Sequence, residues 1–175
     1  MKLQRKTLKA PEFVGLRWIN SPPISVESLK GQVVLVDFWD FSCINCIRTI
    51  PYLKIWHGRY ADRGLMIIGI HAPEFSFAQS EKRVLEEVDF LGLFYPVAID
   101  NNFTTWRRYS NRFWPAKYLI DKEGYLADYH FGEGGYTRTE QAVQELLREI
   151  NPRMILPKVL EPLRTEDSDD AKMKK

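Results

Sequence analysis

The sequence is poor in several features that would point to particular kinds of protein. Two cysteines among 175 residues are too few for the disulfide framework of a small secreted scaffold. A chain of this length does not need one, since it buries roughly 70% of its unfolded surface on folding. Only three histidines occur, His57, His71 and His130, and they lack the ligand spacing of a metal centre. No apolar run approaches the roughly 18 residues of a membrane-crossing helix. Neither sign of charge dominates: 25 Lys+Arg face 23 Asp+Glu, a net +2, so there is no general pull toward nucleic acid or an anionic membrane. The opening MKLQRKTLKAPEFVG is basic, but no apolar stretch of roughly 7–15 residues follows it, so it does not read as a secretory signal. Taken as complete, the chain is expected in the cytoplasm; if an export signal has been removed, an extracytoplasmic location is the alternative. Internal repeats are absent. What is present, 45% hydrophobic and 13% aromatic residues, suits one globular domain.

Hydrophobic patterning gives an alternating α/β order. Residues 1–24 read as an irregular lead-in broken by Pro11, Pro22 and Pro23. QVVLVDFW is a continuous apolar run, as expected of a strand buried on both faces. After it, Ile44, Ile47, Ile50, Leu53, Trp56 and Tyr60 recur at helical spacing up to a terminating Gly64, with Pro51 expected to kink the helix. LMIIGIH is a second buried strand. Val84, Leu85, Val88 and Leu91 predict a helix over 80–91, YPVAID a further strand, and Phe103, Trp106 and Tyr109 a short helix. AKYLID-KEG-YLADYHFG reads as a β-hairpin. Thr137 and Glu140 fit a capping box ahead of a helix ended by Asn151-Pro152. The predicted domain spans 1–150, and 151–175 is expected to be a strap fading into a disordered tail.

Cys43 and Cys46 stand three residues apart, just after the first buried strand and at the start of a helix. That spacing brings two thiols within disulfide reach on one helical face. The unpaired N–H groups of a helix's first turn favour a thiolate at Cys43. Cys46, one turn in and more buried, would stay protonated until it resolves a mixed disulfide. Three plainer readings compete: ordinary core cysteines, half of a zinc site, and a staple contributing about 2 kcal/mol for so short a loop.

The surroundings decide among them. DFW (37–39), Cys-Ile-Asn-Cys (43–46), Pro51, YPVAID (95–100), RFWPAKYLID (112–121) and GEGGY (132–136) resemble, in that order, the thioredoxin superfamily, and within it the TlpA-like branch with the soluble domain of DipZ-type proteins. The likeness covers roughly residues 10–150. It implies a thioredoxin-like three-layer α/β fold: a central mixed sheet flanked by helices, with a TlpA-like central insertion within 65–109 and an N-terminal extension. It implies that Cys43 is the nucleophile, Cys46 the resolving thiol and Pro115 a cis proline facing the disulfide. The backbone of Trp114 would then be free to pair with an extended substrate. Asp37, six residues before Cys43, matches the buried carboxylate of thioredoxins; burial would raise its pKa and let it take the Cys46 proton. Trp39 and Phe41, joined by Trp114, are expected to wall the site. Thr49 departs from the branch, which often has Glu there, and Glu74 is a candidate accessory acid/base in its stead.

The function expected is a thiol–disulfide oxidoreductase that reduces protein disulfides and needs no cofactor or metal. Its partners would be a disulfide-containing protein substrate and an external thiol reductase or electron donor, with no nucleic acid and no membrane span. A monomer is expected. Ile-Asn between the cysteines, with no His or Lys beside Cys43, suggests a moderately reducing couple. Two alternatives stand beside this reading. Thiol-peroxidase-like activity suits the fold, yet Asp40 occupies the position where peroxiredoxins carry Thr. A non-catalytic redox-sensing or partner-binding module would show no turnover.

Overall fold

In the computed structural model, which describes residues 6–168, the two apolar runs lie side by side at the middle of a six-stranded sheet. The strands are β1 (Arg17–Trp18), β2 (Val33–Trp39), β3 (Leu65–His71), β4 (Val97–Ile99), β5 (Ala116–Ile120) and β6 (Leu126–Phe131), in the spatial order β1-β4-β3-β2-β5-β6. β2, β3 and β4 are parallel; β1, β5 and β6 run antiparallel to their neighbours. Every residue of β2 is buried, because both faces of the sheet are covered, and this is why its sequence is continuous rather than alternating.

The helices are α1 (Ile44–Tyr60), α2 (Glu81–Leu91), α3 (Thr104–Arg108) and α4 (Tyr136–Ile150). Leu35, Ile67 and Leu119 point to one face of the sheet, where they pack with Leu53 and Trp56 of α1, Val84 and Val88 of α2, and Val143 and Leu147 of α4. Val34, Val36, Ile68 and Ile70 point to the other, against Trp106 of α3 and against Phe13, Val26 and Leu29 of the N-terminal segment. The architecture is a mixed sheet between two layers. Helix α1 runs on through Pro51 and ends at Tyr60, with one 3-10 turn leading to Gly64 in the left-handed region (φ 100°).

Several elements differ from their sequence-based expectation. The lead-in carries β1, and Asn20 fastens it to β4's approach: its Nδ2 donates to the Tyr95 carbonyl at 2.9 Å and its Oδ1 accepts from Val97 N–H at 2.7 Å. A 3-10 segment, Glu27–Leu29, follows the lead-in, its entry N–H groups held by the Glu12 carboxylate. Leu85 is 43% exposed, while Val84 and Val88 carry the buried face of α2. The capping box at Thr137 does not form. Helix α4 begins earlier, from Gly135 at φ 61°, with no side-chain cap, and Glu140 turns inward instead.

Glu140 is 1% exposed and anchors the chain after α4. It accepts from Tyr60 Oη, from Arg59 at 3.1 Å and from the Leu160 N–H at 2.8 Å. Arg59 and Gln144 donate to the carbonyls of Lys158 and Pro157, at 3.0 and 2.8 Å. Leu163 N–H donates to Tyr52 Oη, which in turn donates to Asp167. Residues 152–168 thus form a strap of almost no regular structure laid across α1 and α4. The disordered tail expected beyond it falls at 169–175, outside the described residues. Among the described residues no helix is long and apolar enough to cross a membrane.

Candidate active site

The parallel strands β2 and β3 end at the same edge of the sheet as β5 begins, since Trp39 is in register with His71 and Phe38 with Ala116. The segment after β2 therefore emerges between the segment after β3 and the residues before β5. Cys43 is the N-cap of α1: its backbone is extended, and its sulfur accepts the Cys46 N–H at 3.2 Å. The Cys46 thiol also hydrogen-bonds to the Cys43 sulfur, and this is the largest influence holding the Cys43 pKa below its ordinary range, against burial and the nearby Glu74 carboxylate. Helix geometry supplies the rest, because the first-turn N–H groups have no partners within the helix. Cys43 keeps 9% of its surface open and Cys46 1%. One thiol can be approached; the other must wait for it.

Beneath Cys46 the sheet carries Asp37. As an odd-numbered residue of β2 it faces the α1 side, and it is 2% exposed with Oδ1 lacking any hydrogen bond. Burial raises its pKa to about 7, opposed by the charge of Lys117. Cys46 is pushed up by burial first, then by its hydrogen bond to Cys43 and by the charges of Cys43 and Asp37. Lys117 is the cross-strand partner of Asp37 on β5 and is itself 1% exposed, with Nζ 3.3 Å from the Gly132 carbonyl and 5.5 Å above the Tyr136 ring. Sequence reasoning passed over it: in AKYLID a lysine reads as the solvent side of a strand, and only the register puts it opposite the acid.

The Trp114–Pro115 peptide is cis and stands at this same end of the sheet. Trp114 is half-buried, its Nε1 donating to the Ala72 carbonyl at 2.8 Å and its ring 4.3 Å from that of Trp106. Its backbone N–H and carbonyl make no hydrogen bond among the described residues. Trp39 is 1% exposed, so it supports the site from below and offers no surface to a substrate. Phe41 is nearly buried, stacked on His71 at 5.4 Å. The exposed apolar surface comes from other residues: Ile44 between the cysteines, Phe75 and Phe77 stacked at 5.7 Å after β3, and Phe113 stacked on Phe131 at 5.0 Å beside the cis peptide. The two phenylalanines in HAPEFSF were the available signal, since large apolar side chains amid polar ones in a loop seldom serve a core. Glu74 is exposed, and its backbone N–H donates to Asp40 at 2.6 Å.

Residues 7–129, well over half of the sequence, match a known family. This chain belongs to the AhpC/TSA family. AhpC/TSA membership accords with its relatives. Protein DipZ of Mycobacterium bovis is 47% identical over 152 residues, 85% of this chain but 22% of DipZ. The chain thus spans about a fifth of the length of that relative, for which 22% is covered. Thiol-disulfide oxidoreductase ResA of Halalkalibacterium halodurans is 31% identical over 150 residues, 86% of this chain and 80% of ResA. A solved thioredoxin-like superfamily protein superposes with a TM-score of 0.76 at 23% identity, covering 86% of this chain and 100% of that one. The fold of this AhpC/TSA member is accordingly thioredoxin-like, and its cysteine pair stands as a Cys-x-x-Cys site at the head of α1.

Proposed function

We propose that the protein is a thiol–disulfide oxidoreductase that reduces disulfides in extended polypeptides. The observation carrying this is the division of labour between the thiols: a Cys43 at a helix N-cap that keeps 9% of its surface exposed and is hydrogen-bonded by Cys46, and a Cys46 only 1% exposed above an ionisable Asp37. The Cys43 thiolate attacks one sulfur of the substrate disulfide, and the other leaves as a thiolate that takes up a proton. Asp37 accepts the Cys46 proton, directly or through water, and the Cys46 thiolate attacks Cys43 sulfur. The second substrate thiolate departs, the Cys43–Cys46 disulfide remains, and two electrons have passed to the substrate. An external dithiol donor must restore the reduced pair.

Two features support a polypeptide as substrate. The unpaired backbone groups of Trp114 suit pairing with an extended chain, and the Phe75–Phe77 and Phe113–Phe131 pairs offer apolar contacts to its side chains. Peroxide reduction is less well served. Asp40, in place of the peroxiredoxin Thr, presents an acceptor where a donor to the peroxide is wanted, and its lone pairs are already taken by Ser42 and Glu74. The test is reduction of insulin by the full chain with dithiothreitol as donor. Wild type is expected to turn over, Cys43→Ser to be inactive, and Cys46→Ser to accumulate a mixed disulfide. Wild type no faster than Cys43→Ser would support a non-catalytic module, and rapid peroxide consumption by Cys46→Ser would support a peroxidase.

A further inference from the structure

A second buried polar cluster lies behind Cys43, and the exchange chemistry makes no use of it. Because Trp39 and His71 are in register at the ends of β2 and β3, the next residue, Asp40, comes to rest beside His71. Both side chains are fully buried. Burying a carboxylate is unfavourable by several kcal/mol unless hydrogen bonds replace its water, and those of Asp40 are specific. Oδ1 accepts from the Ser42 backbone N–H at 2.8 Å and from its hydroxyl at 3.0 Å; Oδ2 accepts from the Glu74 N–H at 2.6 Å. His71 Nε2 stands 3.5 Å from Oδ1, and neither ring nitrogen completes a hydrogen bond. The imidazole is fixed by Phe41, stacked at 5.4 Å, and by Trp39, edge-on at 5.2 Å. Finally, the Asp40 carbonyl accepts the Cys43 N–H at 3.1 Å. A single residue thus ties the turn that delivers Cys43 to the loop that delivers Glu74.

We propose that Asp40, seated against His71, is a positioning residue for Cys43: it clamps the 40–43 turn to the 72–74 loop and so sets where Glu74 stands relative to the thiol. The inference rests on the reading of Cys43 as the attacking thiol. The charged and titratable groups at this cluster are His71 from β3, Cys43 from the head of α1, Glu74 from the loop after β3, and Arg83 from α2, whose guanidinium lies 5.4 Å over the Phe41 ring. One carboxylate, that of Glu74, therefore opposes a thiolate that the helix terminus favours. For Asp40 itself burial pushes the pKa upward, but the adjacent His71 ring and the hydrogen bonds from the Ser42 and Glu74 backbone N–H groups outweigh it and keep the carboxylate ionised. A thiol restrained in this way is a weaker leaving group from its own disulfide, and the couple becomes more reducing.

The test follows alkylation of Cys43 by iodoacetamide against pH in the full chain, with Cys43 identified by peptide mass and the melting temperature recorded in parallel. Asp40→Asn is expected to lower the midpoint by about half a unit, read as about threefold faster alkylation on the acid side. Glu74→Gln is expected to act in the same direction, and the double variant to fall short of the sum, because the two act through one loop. Asp40→Thr, which keeps an uncharged oxygen for the Ser42 N–H, serves the same measurement should Asn not fold. An unmoved midpoint, whatever happens to the melting temperature, reduces Asp40 to a structural residue and overturns the proposal. Strict additivity overturns it as well, since Asp40 would not then act through Glu74. Cys43→Ser separates the two readings. If insulin reduction survives in it, Cys43 is not the attacking thiol; if reduction is lost while the Asp40 profile stays flat, only the positioning role fails.

Discussion

Asp37→Asn reaches both the energetics and the chemistry of this fold. Burial raises the Asp37 pKa from 3.8 to about 7, a difference of about 3 units, or about 4 kcal/mol. The native state holds this proton more tightly than the unfolded chain. The stabilisation is therefore whole below pH 3.8 and is lost as pH rises through about 7. Asn carries no such proton, so the variant should gain stability relative to wild type as pH rises from about 4 to 8. The 4 kcal/mol, taken at about 1.36 kcal/mol per unit, is a ceiling, because Lys117 loses its counter-charge in the variant. Catalysis should move the opposite way. Cys46 is buried with its pKa raised, and without a base its deprotonation falls to water, slowing resolution roughly a hundredfold near neutral pH. Urea unfolding at pH 5, 6, 7 and 8 reads the first effect, and rapid-quench trapping of the mixed disulfide over pH 6–8 the second. Parallel stability curves together with a resolution rate within about twofold of wild type, far short of the effect of a general base, would refute the reasoning.

Three further outcomes follow from packing and hydrogen bonding. Phe75→Ala with Phe77→Ala should slow insulin reduction several-fold, about 1 kcal/mol of lost apolar contact, and leave reduction of a small aromatic disulfide unchanged; equal losses on both would point to a disturbed cysteine pair. Glu140→Ala removes the acceptor shared by Tyr60 Oη, Arg59 and the Leu160 N–H and should destabilise by about 3 kcal/mol, measured by urea unfolding, with new proteolytic cuts within 152–168. Gly135→Ala would place a Cβ 2.5 Å from His130 Cε1 at a φ of +61°. A loss of about 1–3 kcal/mol is expected, visible as a fall in melting temperature.

How legible the molecule is in its sequence depends on the range of the cause. β2, α1 and β3 declare themselves through local pattern, since a strand covered on both faces leaves a continuous run and a helix leaves a three-to-four period. The cysteine pair is legible for the same reason: both thiols lie in one turn. The site's support is not local. Lys117 faces Asp37 across a long stretch of chain only because β5 pairs with β2 in that register, and Asp40 meets His71 only because two parallel strands end together. Trp39 carries the same aromatic label as a binding residue yet lies under the sheet's end, and burial is not written in a residue type. The capping motif at Thr137 failed because Gly134-Gly135 already start α4 two residues earlier, which leaves Glu140 to serve the strap.

The strap also decides where this domain can be joined to anything else. Arg164 pairs with Asp167 and lies 3.5 Å from Glu133, and Glu133 lies 3.7 Å from Arg48, on the opening turn of α1 just past Cys46. The chain therefore crosses the molecule after α4 and comes up against the opening turns of α1. A reporter or affinity tag fused at residue 168 would sit over the opening turns of α1, whereas cutting back to the end of α4 to avoid this would uncover Glu140 and Tyr52. An amino-terminal fusion, attached ahead of the Lys9–Tyr125 bridge, spares both.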